Sequence, residues 1–214
     1  MISIPDVELN LRKMLLTMKL APGEILTERW AESYFHTSRS IVRTAFKKMM
    51  TEGLIYRDGG HWVVAQIQPR EVEQLYVYRE VLEIAALNIS ARTITEEELR
   101  SIEAIFLTEH SREVDNIMQD AGTQFHLQLA VLCGNTFIIE GLRHALYRLA
   151  RARRFDDSPV NPAWDEHRNI INALRMGNID MATEILTQHL RESHFRIQKI
   201  ICTNPHIPFD TRDA

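Results

Sequence analysis

The feature that most constrains the fold of this chain is a short basic segment that is followed closely by a glycine. From Ser38 to Met50 the sequence holds no acidic residue, and its basic residues are Arg39, Arg43, Lys47 and Lys48. Three of the four recur every four residues, so a helix would place them on one face. The other face would carry the apolar side chains of Val42, Ala45, Phe46 and Met49. The segment therefore predicts a helix that is buried on one side and basic on the other.

The flanking residues predict what surrounds this helix. Apolar residues with helical spacing precede a turn at 21–23, and they are Val7, Leu11, Met14, Leu15 and Met18. Thr27 is a candidate N-cap for a second, short helix that ends near His36, and Ser38 is a candidate N-cap for the basic helix. Gly53 suits the C′ position. Two β-like runs, 54–57 and 61–67, flank Asp58-Gly59-Gly60 as a hairpin would. This order predicts a winged helix-turn-helix over residues 1–67.

Guanidinium and hydroxyl groups on one helix face suit the major groove of DNA. The candidate contacts on the basic helix are Ser38, Arg39, Ser40, Arg43, Thr44 and Lys47. An ordinary solvated basic face is the alternative. Charge is divided along the chain in the direction that DNA binding requires: residues 1–67 carry a net charge of +2 and the remaining residues −6.

Residues 68–201 predict a different architecture, an all-α antiparallel bundle of about six helices. Pro69 suits the first turn of a helix, and Thr95 to Glu98 reads as a capping box. The later helices are expected over roughly 99–109, 114–133, 136–155, 162–176 and 180–201, with breaks at Gly134 and Gly177. Residues 202–214 are expected to form a tail. The fold class is thus mainly α, with one small β-hairpin.

Several classes of protein are disfavoured. No stretch approaches the ~20 apolar residues of a membrane span, and no secretory leader is visible. Cys133 and Cys202 predict neither a disulfide framework nor a thiolate metal cluster. Glycine-rich phosphate loops and serine-nucleophile motifs are missing from the sequence. We expect a cytoplasmic protein that makes no membrane contact and is not an enzyme.

Three histidines fall beside apolar positions of the predicted bundle: His126, His167 and His189. Imidazoles on inward faces of separate helices can converge on a divalent metal. Isolated buried histidines that only make hydrogen bonds are the alternative. A metal-dependent enzyme using the three histidines is a rival hypothesis, but the sequence offers it no convincing general base.

The N-terminal motifs resemble those of the GntR family of bacterial regulators. The matching runs are Pro22 to Arg29, Phe35 to Phe46 and Glu52 to Ile55, and the likeness covers residues 8–67. It implies an operator-binding winged domain with DNA contacts at Arg29, Arg39, Ser40 and Arg43, and a wing tip at Gly59 and Gly60. His36 stands where the family usually has glycine.

The C-terminal motifs resemble the FCD domain of the FadR-type subfamily. They are Tyr78 to Glu83, Phe125 to Ala130, Gly134-Asn135, Glu166-His167 and Asp180 to Leu190. The resemblance implies a cavity in which His126, His167 and His189 hold a metal, zinc by preference, with a carboxylate effector. The family's aspartate ligand falls at Gly122, and Asp120 lies on the wrong face to replace it. A metal-free, anion-binding pocket therefore stays open.

Arg79 matches a family arginine that can bind an effector carboxylate, and an ion pair with Glu83 is its alternative role. We expect a homodimeric repressor that binds a palindromic operator and responds to a small organic acid. The alternative regulator is a DNA-binding dimer with a degenerate pocket that senses nothing.

Overall fold

The computed structural model describes residues 2–108, 121–156 and 161–203. These residues fall into two compact units, 2–68 and 69–203, which we describe separately. No helix in the described ranges combines the length and the apolar character that a bilayer crossing demands.

The first unit contains three helices and a small antiparallel sheet among the described residues. The elements in chain order are α1 (Ile4–Leu16), β1 (Ile25–Leu26), α2 (Glu28–Phe35), α3 (Arg39–Thr51), β2 (Ile55–Asp58) and β3 (His61–Val64). The sheet order is β1-β3-β2. Ile25 pairs with Val63, and Arg57 pairs with Trp62. This is the predicted winged helix-turn-helix with one addition, since the sequence did not indicate β1.

Local sequence explains most boundaries of the first unit. The Thr27 hydroxyl accepts a hydrogen bond from the Trp30 backbone N–H and caps α2. Gly53, at φ 72°, follows α3 in the left-handed conformation expected at C′. Two expectations were wrong in detail. Ser38 precedes α3 but makes no side-chain cap, because its hydroxyl is hydrogen-bonded to that of Ser40 instead. The last strand ends at Val64 rather than at 67.

The apolar face predicted for the basic helix is the core of the first unit. Val42, Ala45, Phe46 and Met49 are all fully buried. They lie with α1 residues Leu11 and Leu15, which are equally buried. Packing of α1 on α3 therefore fixes the orientation of α3 and leaves its basic face outside.

The second unit is helical throughout its described residues. Its helices are α4 (Pro69–Ser90), α5 (Glu96–Thr108), α6 (Ala121–Leu132), α7 (Thr136–Arg153), α8 (Asn161–Arg175) and α9 (Ile179–Thr203). The predicted capping box at Thr95 and Glu98 is present. The segment 114–120 of the predicted third bundle helix lies outside the described residues. Helix α9 continues two residues into the segment expected as a tail.

The bundle packs α4 and α8 extensively against α9. Its main apolar core includes Leu87, Phe106, Phe125, Ile170 and Leu186. Gly141 of α7 lies close to α4, and a Cβ at this position would be 2.4 Å from the Tyr78 hydroxyl oxygen, so the Tyr78 side chain would have to move. These contacts bring α4, α6, α8 and α9 around one polar cluster inside the bundle.

Candidate functional site

The basic face of α3 is accessible along its length. The residues expected on it are all exposed: Ser38, Arg39, Ser40, Arg43, Thr44 and Lys47. Arg29, on the preceding helix, is exposed as well. A helix whose opposite side is fully buried can insert such a face into a groove without losing its own core.

An acidic residue that the sequence analysis did not single out joins two of these arginines. The Glu28 carboxylate accepts a hydrogen bond from Arg43 Nε at 2.8 Å and a second one from Arg39 Nε. The hydrogen bond from Arg43, together with Arg39, outweighs partial burial and lowers the pKa of Glu28 to about 2. Glu28 is therefore ionised at neutral pH and bridges the first two turns of α3.

The hairpin between β2 and β3 has a tip without side chains. Gly59 and Gly60 adopt φ angles of 50° and 89°, and a Cβ at either would meet open space. Behind the tip, the Arg57 guanidinium lies 4.5 Å from the centroid of the Trp62 ring. The hairpin thus ends in a narrow tip and carries the Arg57 cation behind it.

The second unit contains a cluster of three buried histidines. His126 comes from α6, His167 from α8 and His189 from α9, with exposed fractions of 4%, 2% and 6%. The Nε2 atom of His189 lies 3.2 Å from His167 Nε2 and 3.3 Å from His126 Nε2. Each histidine can offer one ring nitrogen as a ligand, and these three atoms all lie within 4.8 Å of one another.

Two carboxylates orient the histidines from outside the cluster. His126 Nδ1 lies 2.5 Å from Glu83 Oε2, and His189 Nδ1 lies 2.5 Å from Glu166 Oε2. Burial lowers the pKa of His126 and holds the pKa of His167 well below its usual range. A neutral imidazole that donates its Nδ1 proton to a carboxylate directs an Nε2 lone pair to the other side. The Nε2 atoms of His126 and His189 face the centre of the cluster.

This geometry fits a divalent metal ion. A tetrahedral zinc ion with bonds of about 2.0–2.1 Å holds its nitrogen ligands about 3.3–3.4 Å apart. The two nitrogen distances recorded here are close to that spacing. The three side chains thus suit a zinc site, which would leave further coordination positions to other ligands.

Gly122, in the first turn of α6, contributes no ligand to this cluster. Asp120 lies outside the described residues. The donor set that the structure describes is therefore three imidazoles, as the sequence indicated. Such a set carries no charge of its own, so an anionic ligand of a bound cation would not be repelled by a carboxylate in its coordination sphere.

Arg79 is joined to the cluster through Glu83. The Arg79 Nε donates to Glu83 Oε1 at 2.8 Å, while the other oxygen of Glu83 contacts His126. Arg79 and Glu83 are 2% and 3% exposed. Burial would raise the pKa of Glu83, but Arg79 and His126 outweigh it and lower the pKa. The ion pair named as one role of Arg79 is thus present, and its guanidinium stands beside the histidines.

The contacts of Glu28 and Glu166 were not predicted from the sequence, and Glu83 was expected only as an ion-pair partner of Arg79. A signal existed for two of them, since Glu166 adjoins His167 and Glu83 follows Arg79 by one helical turn. Nothing in the spacing, however, indicates that Glu166 reaches His189, which lies 23 positions away. Glu28 lies on α2 and its partners Arg39 and Arg43 lie on α3, so spacing within one helix does not indicate their contact either.

Comparison with known proteins gives matches over both units. Residues 5–63 match the model for bacterial regulatory proteins of the gntR family, and residues 74–192 match the model for the FCD domain. An HTH-type transcriptional regulator in an unstable DNA locus of Streptomyces ambofaciens is 27% identical over 209 residues, covering 94% of this chain and 88% of that protein.

Two further matches agree with these. The HTH-type transcriptional repressor RspR of Escherichia coli K12 is 27% identical over 199 residues, covering 89% of this chain and 86% of that protein. The crystal structure of a putative transcriptional regulator GntR from Rhodococcus sp. RHA1 superposes with a TM-score of 0.73 at 25% identity. It covers 92% of this chain and 97% of that one.

Proposed function

The chain belongs to the GntR family, with an FCD domain after its winged domain, and we propose that it is a repressor whose operator affinity changes when a small organic acid binds the histidine cluster. The family membership makes it a DNA-binding transcriptional regulator rather than an enzyme. Repression is supported by the similarity to RspR, which is named a transcriptional repressor. As a regulator of transcription it would act in the cytoplasm.

The observation that carries the DNA-binding assignment is the two-sided character of α3. Its apolar side is the core of the first unit, and its other side exposes Arg39, Arg43 and Lys47 in successive turns. We assign base contacts to Arg39 and Arg43, because guanidinium groups pair bidentately with guanine O6 and N7. The remaining contacts, to phosphates and sugars, are assigned to Arg29, Ser38, Ser40, Thr44, Lys47, Gly59 and Gly60.

The histidine cluster supports an effector site with a divalent metal, zinc by preference. His126, His167 and His189 would hold the ion, and Glu83 and Glu166 would fix the imidazoles of His126 and His189. A bound zinc ion supplies Lewis acidity toward carboxylate oxygens. Arg79 would bind the same carboxylate through its guanidinium. Since Gly122 adds no ligand, effector oxygens would complete the coordination.

Exposed apolar side chains in the second unit support a homodimer. Val77 and Val81 lie one turn apart on α4 and are 60% and 62% exposed, and Phe137 on α7 is 88% exposed. Solvent-exposed side chains of this kind on packed helices suit a self-complementary contact with a second copy. A twofold axis would then present two winged domains to a palindromic operator.

One alternative follows from Gly122. A site with one ligand fewer binds its metal ion more weakly. On this hypothesis the pocket holds neither metal nor effector, and the chain binds DNA as a dimer that does not respond to a ligand. A thermal-shift screen of small organic acids, with and without added zinc, separates the two hypotheses. Stabilisation by at least one acid supports the sensor, whereas a flat screen with specific DNA binding retained supports the degenerate pocket.

The DNA-binding assignment is tested by replacing Arg43. Duplexes selected by the full-length protein from a random library supply the specific probe. We expect Arg43→Ala to weaken binding to the selected duplex about 5- to 150-fold, which corresponds to ~1–3 kcal/mol for one base contact. Arg100→Ala, at an exposed position on α5, is the charge-matched control and should bind as the wild type does. Equal affinity of the Arg43 variant and the wild type would contradict the assignment.

A further inference from the structure

Glu28 contacts two arginines of the face that we assign to DNA, and this contact bears on sequence discrimination. Glu28 is the first residue of α2, Arg39 is the first residue of α3, and Arg43 lies one turn further along. Each oxygen of the carboxylate accepts a hydrogen bond from the Nε of one arginine. A single side chain therefore restrains both guanidinium groups at once.

The contact leaves the arginines available to DNA. Arg39 and Arg43 side chains are 64% and 54% exposed, whereas the Glu28 side chain is only 15% exposed. Only Nε of each arginine is recorded in a bond to Glu28 in the described part of the chain. The terminal nitrogens, which form the fork that pairs with guanine, can thus point away from the carboxylate.

Glu28 is itself held in place. It follows the N-cap Thr27, whose hydroxyl accepts the Trp30 backbone N–H, and a carboxylate in the first turn of a helix interacts favourably with the helix dipole. An acceptor fixed in this way reduces the rotamer freedom of two long side chains before DNA arrives. Binding of the correct sequence then costs less conformational entropy.

The same carboxylate also affects DNA of the wrong sequence. It offsets one of the two positive charges, so the pair of arginines attracts phosphates less strongly than two free cations would. A guanidinium bound at Nε cannot easily turn aside to a phosphate. Both effects reduce nonspecific binding. Preorganisation of the two guanidinium groups, by contrast, strengthens binding to the correct sequence.

We propose that Glu28 is a positioning residue for base recognition, which orders Arg39 and Arg43 and so raises the ratio of specific to nonspecific DNA affinity. The proposal rests on the assignment of α3 to the DNA interface. It differs from a simple competitor role, in which Glu28 would occupy the arginines and weaken binding to every duplex.

The test compares charge removal at two positions of the same helix. Glu28→Gln and Glu28→Ala are compared with the control Glu32→Gln. Glu32 lies one turn further along α2 and is also near Arg39. In the described residues it makes no hydrogen bond to either arginine, so the control removes a negative charge without removing such a contact. Dissociation constants of the full-length proteins are determined for the selected duplex and for a scrambled duplex of equal composition. Circular dichroism confirms that each variant is folded, and Glu28→Gln keeps the side-chain volume should Glu28→Ala unfold.

We expect both Glu28 variants to lower the affinity ratio about tenfold, mainly through weaker binding to the selected duplex. Glu32→Gln should tighten binding to both duplexes alike and keep the ratio within about twofold. A Glu28 variant that behaves as Glu32→Gln does, or that binds the selected duplex more tightly than the wild type, overturns the proposal. Failure of the DNA-interface assignment looks different, because then Arg43→Ala leaves the ratio unchanged as well.

Discussion

The Nε2 atoms of His167 and His189 lie 3.2 Å apart inside the helical unit, although the two side chains come from different helices. The Nδ1 of His189 contacts Glu166, so its Nε2 is the ring nitrogen that faces His167. His126 adds a third nitrogen 3.3 Å from His189. A divalent cation at the centre would be within reach of all three nitrogens.

The first prediction concerns metal content. Protein purified without chelator should contain about one zinc ion per chain, and His167→Ala should lose most of it, because two imidazoles alone bind zinc poorly. Elemental analysis after dialysis measures both. His144→Ala, a histidine on α7 outside the cluster, is the control. Retention of wild-type zinc by the His167 variant would contradict a three-histidine site.

A second prediction concerns the carboxylate behind His189. Glu166→Gln should weaken zinc binding about 10- to 100-fold, because the Nδ1 proton of His189 loses its anionic acceptor. Competition with a chromophoric chelator gives the affinity. Glu192→Gln, which removes an exposed carboxylate from α9, should leave it unchanged. An equal affinity for both variants would show that Glu166 does not orient the ligand.

The third prediction concerns the buried pair of Arg79 and Glu83. Glu83→Leu should lower the free energy of unfolding by about 3–5 kcal/mol, since it leaves a buried guanidinium without its counterion. The double variant Arg79→Met/Glu83→Leu should recover most of the loss. Urea unfolding is measured on metal-free wild type, Glu83→Leu, Arg79→Met and the double variant, and the absence of metal separates this effect from metal binding. Additive losses in the double variant would disprove the coupling.

A fourth prediction concerns the turn between α2 and α3. His36 adopts φ 48° and ψ 48°, a left-handed conformation in which glycine is unstrained. His36→Gly removes this strain but gives the unfolded chain more conformational entropy. The net effect should be a free energy of unfolding that is higher by roughly 0.5–1 kcal/mol. His36→Ala keeps the Cβ and should give no such gain. The two variants are compared by urea denaturation, and equal values would mean that the turn is not strained.

The winged unit could be predicted because its signals are local. Residues four apart on α3, the left-handed Gly53 and the glycine pair at the hairpin tip each act within a few positions of the chain. The strand β1 could not be predicted in this way. It has two residues, and it exists because Ile25 and Leu26 pair with Val63 and Trp62, which follow more than thirty positions later.

The histidine cluster was predictable only in part. Helical spacing placed three imidazoles on inward faces, and the family resemblance brought them together. Their partners depend on how the helices rotate and shift against one another, which spacing within one helix does not determine. The Glu166–His189 contact joins neighbouring helices, and the Glu83–His126 contact spans 43 positions. For the same reason, the Glu28 contacts became visible only once α2 and α3 were packed.

The three imidazoles come from three different helices, so they are far apart along the chain. His126 and His189 are 63 positions apart, and His167 and His189 are 22 apart. An ion shared by all three would act as a reversible cross-link that closes two long chain segments and restricts the unfolded ensemble, much as a disulfide does. The supply of metal in the cell would then govern how long each molecule survives proteolysis, separately from any signal it transmits.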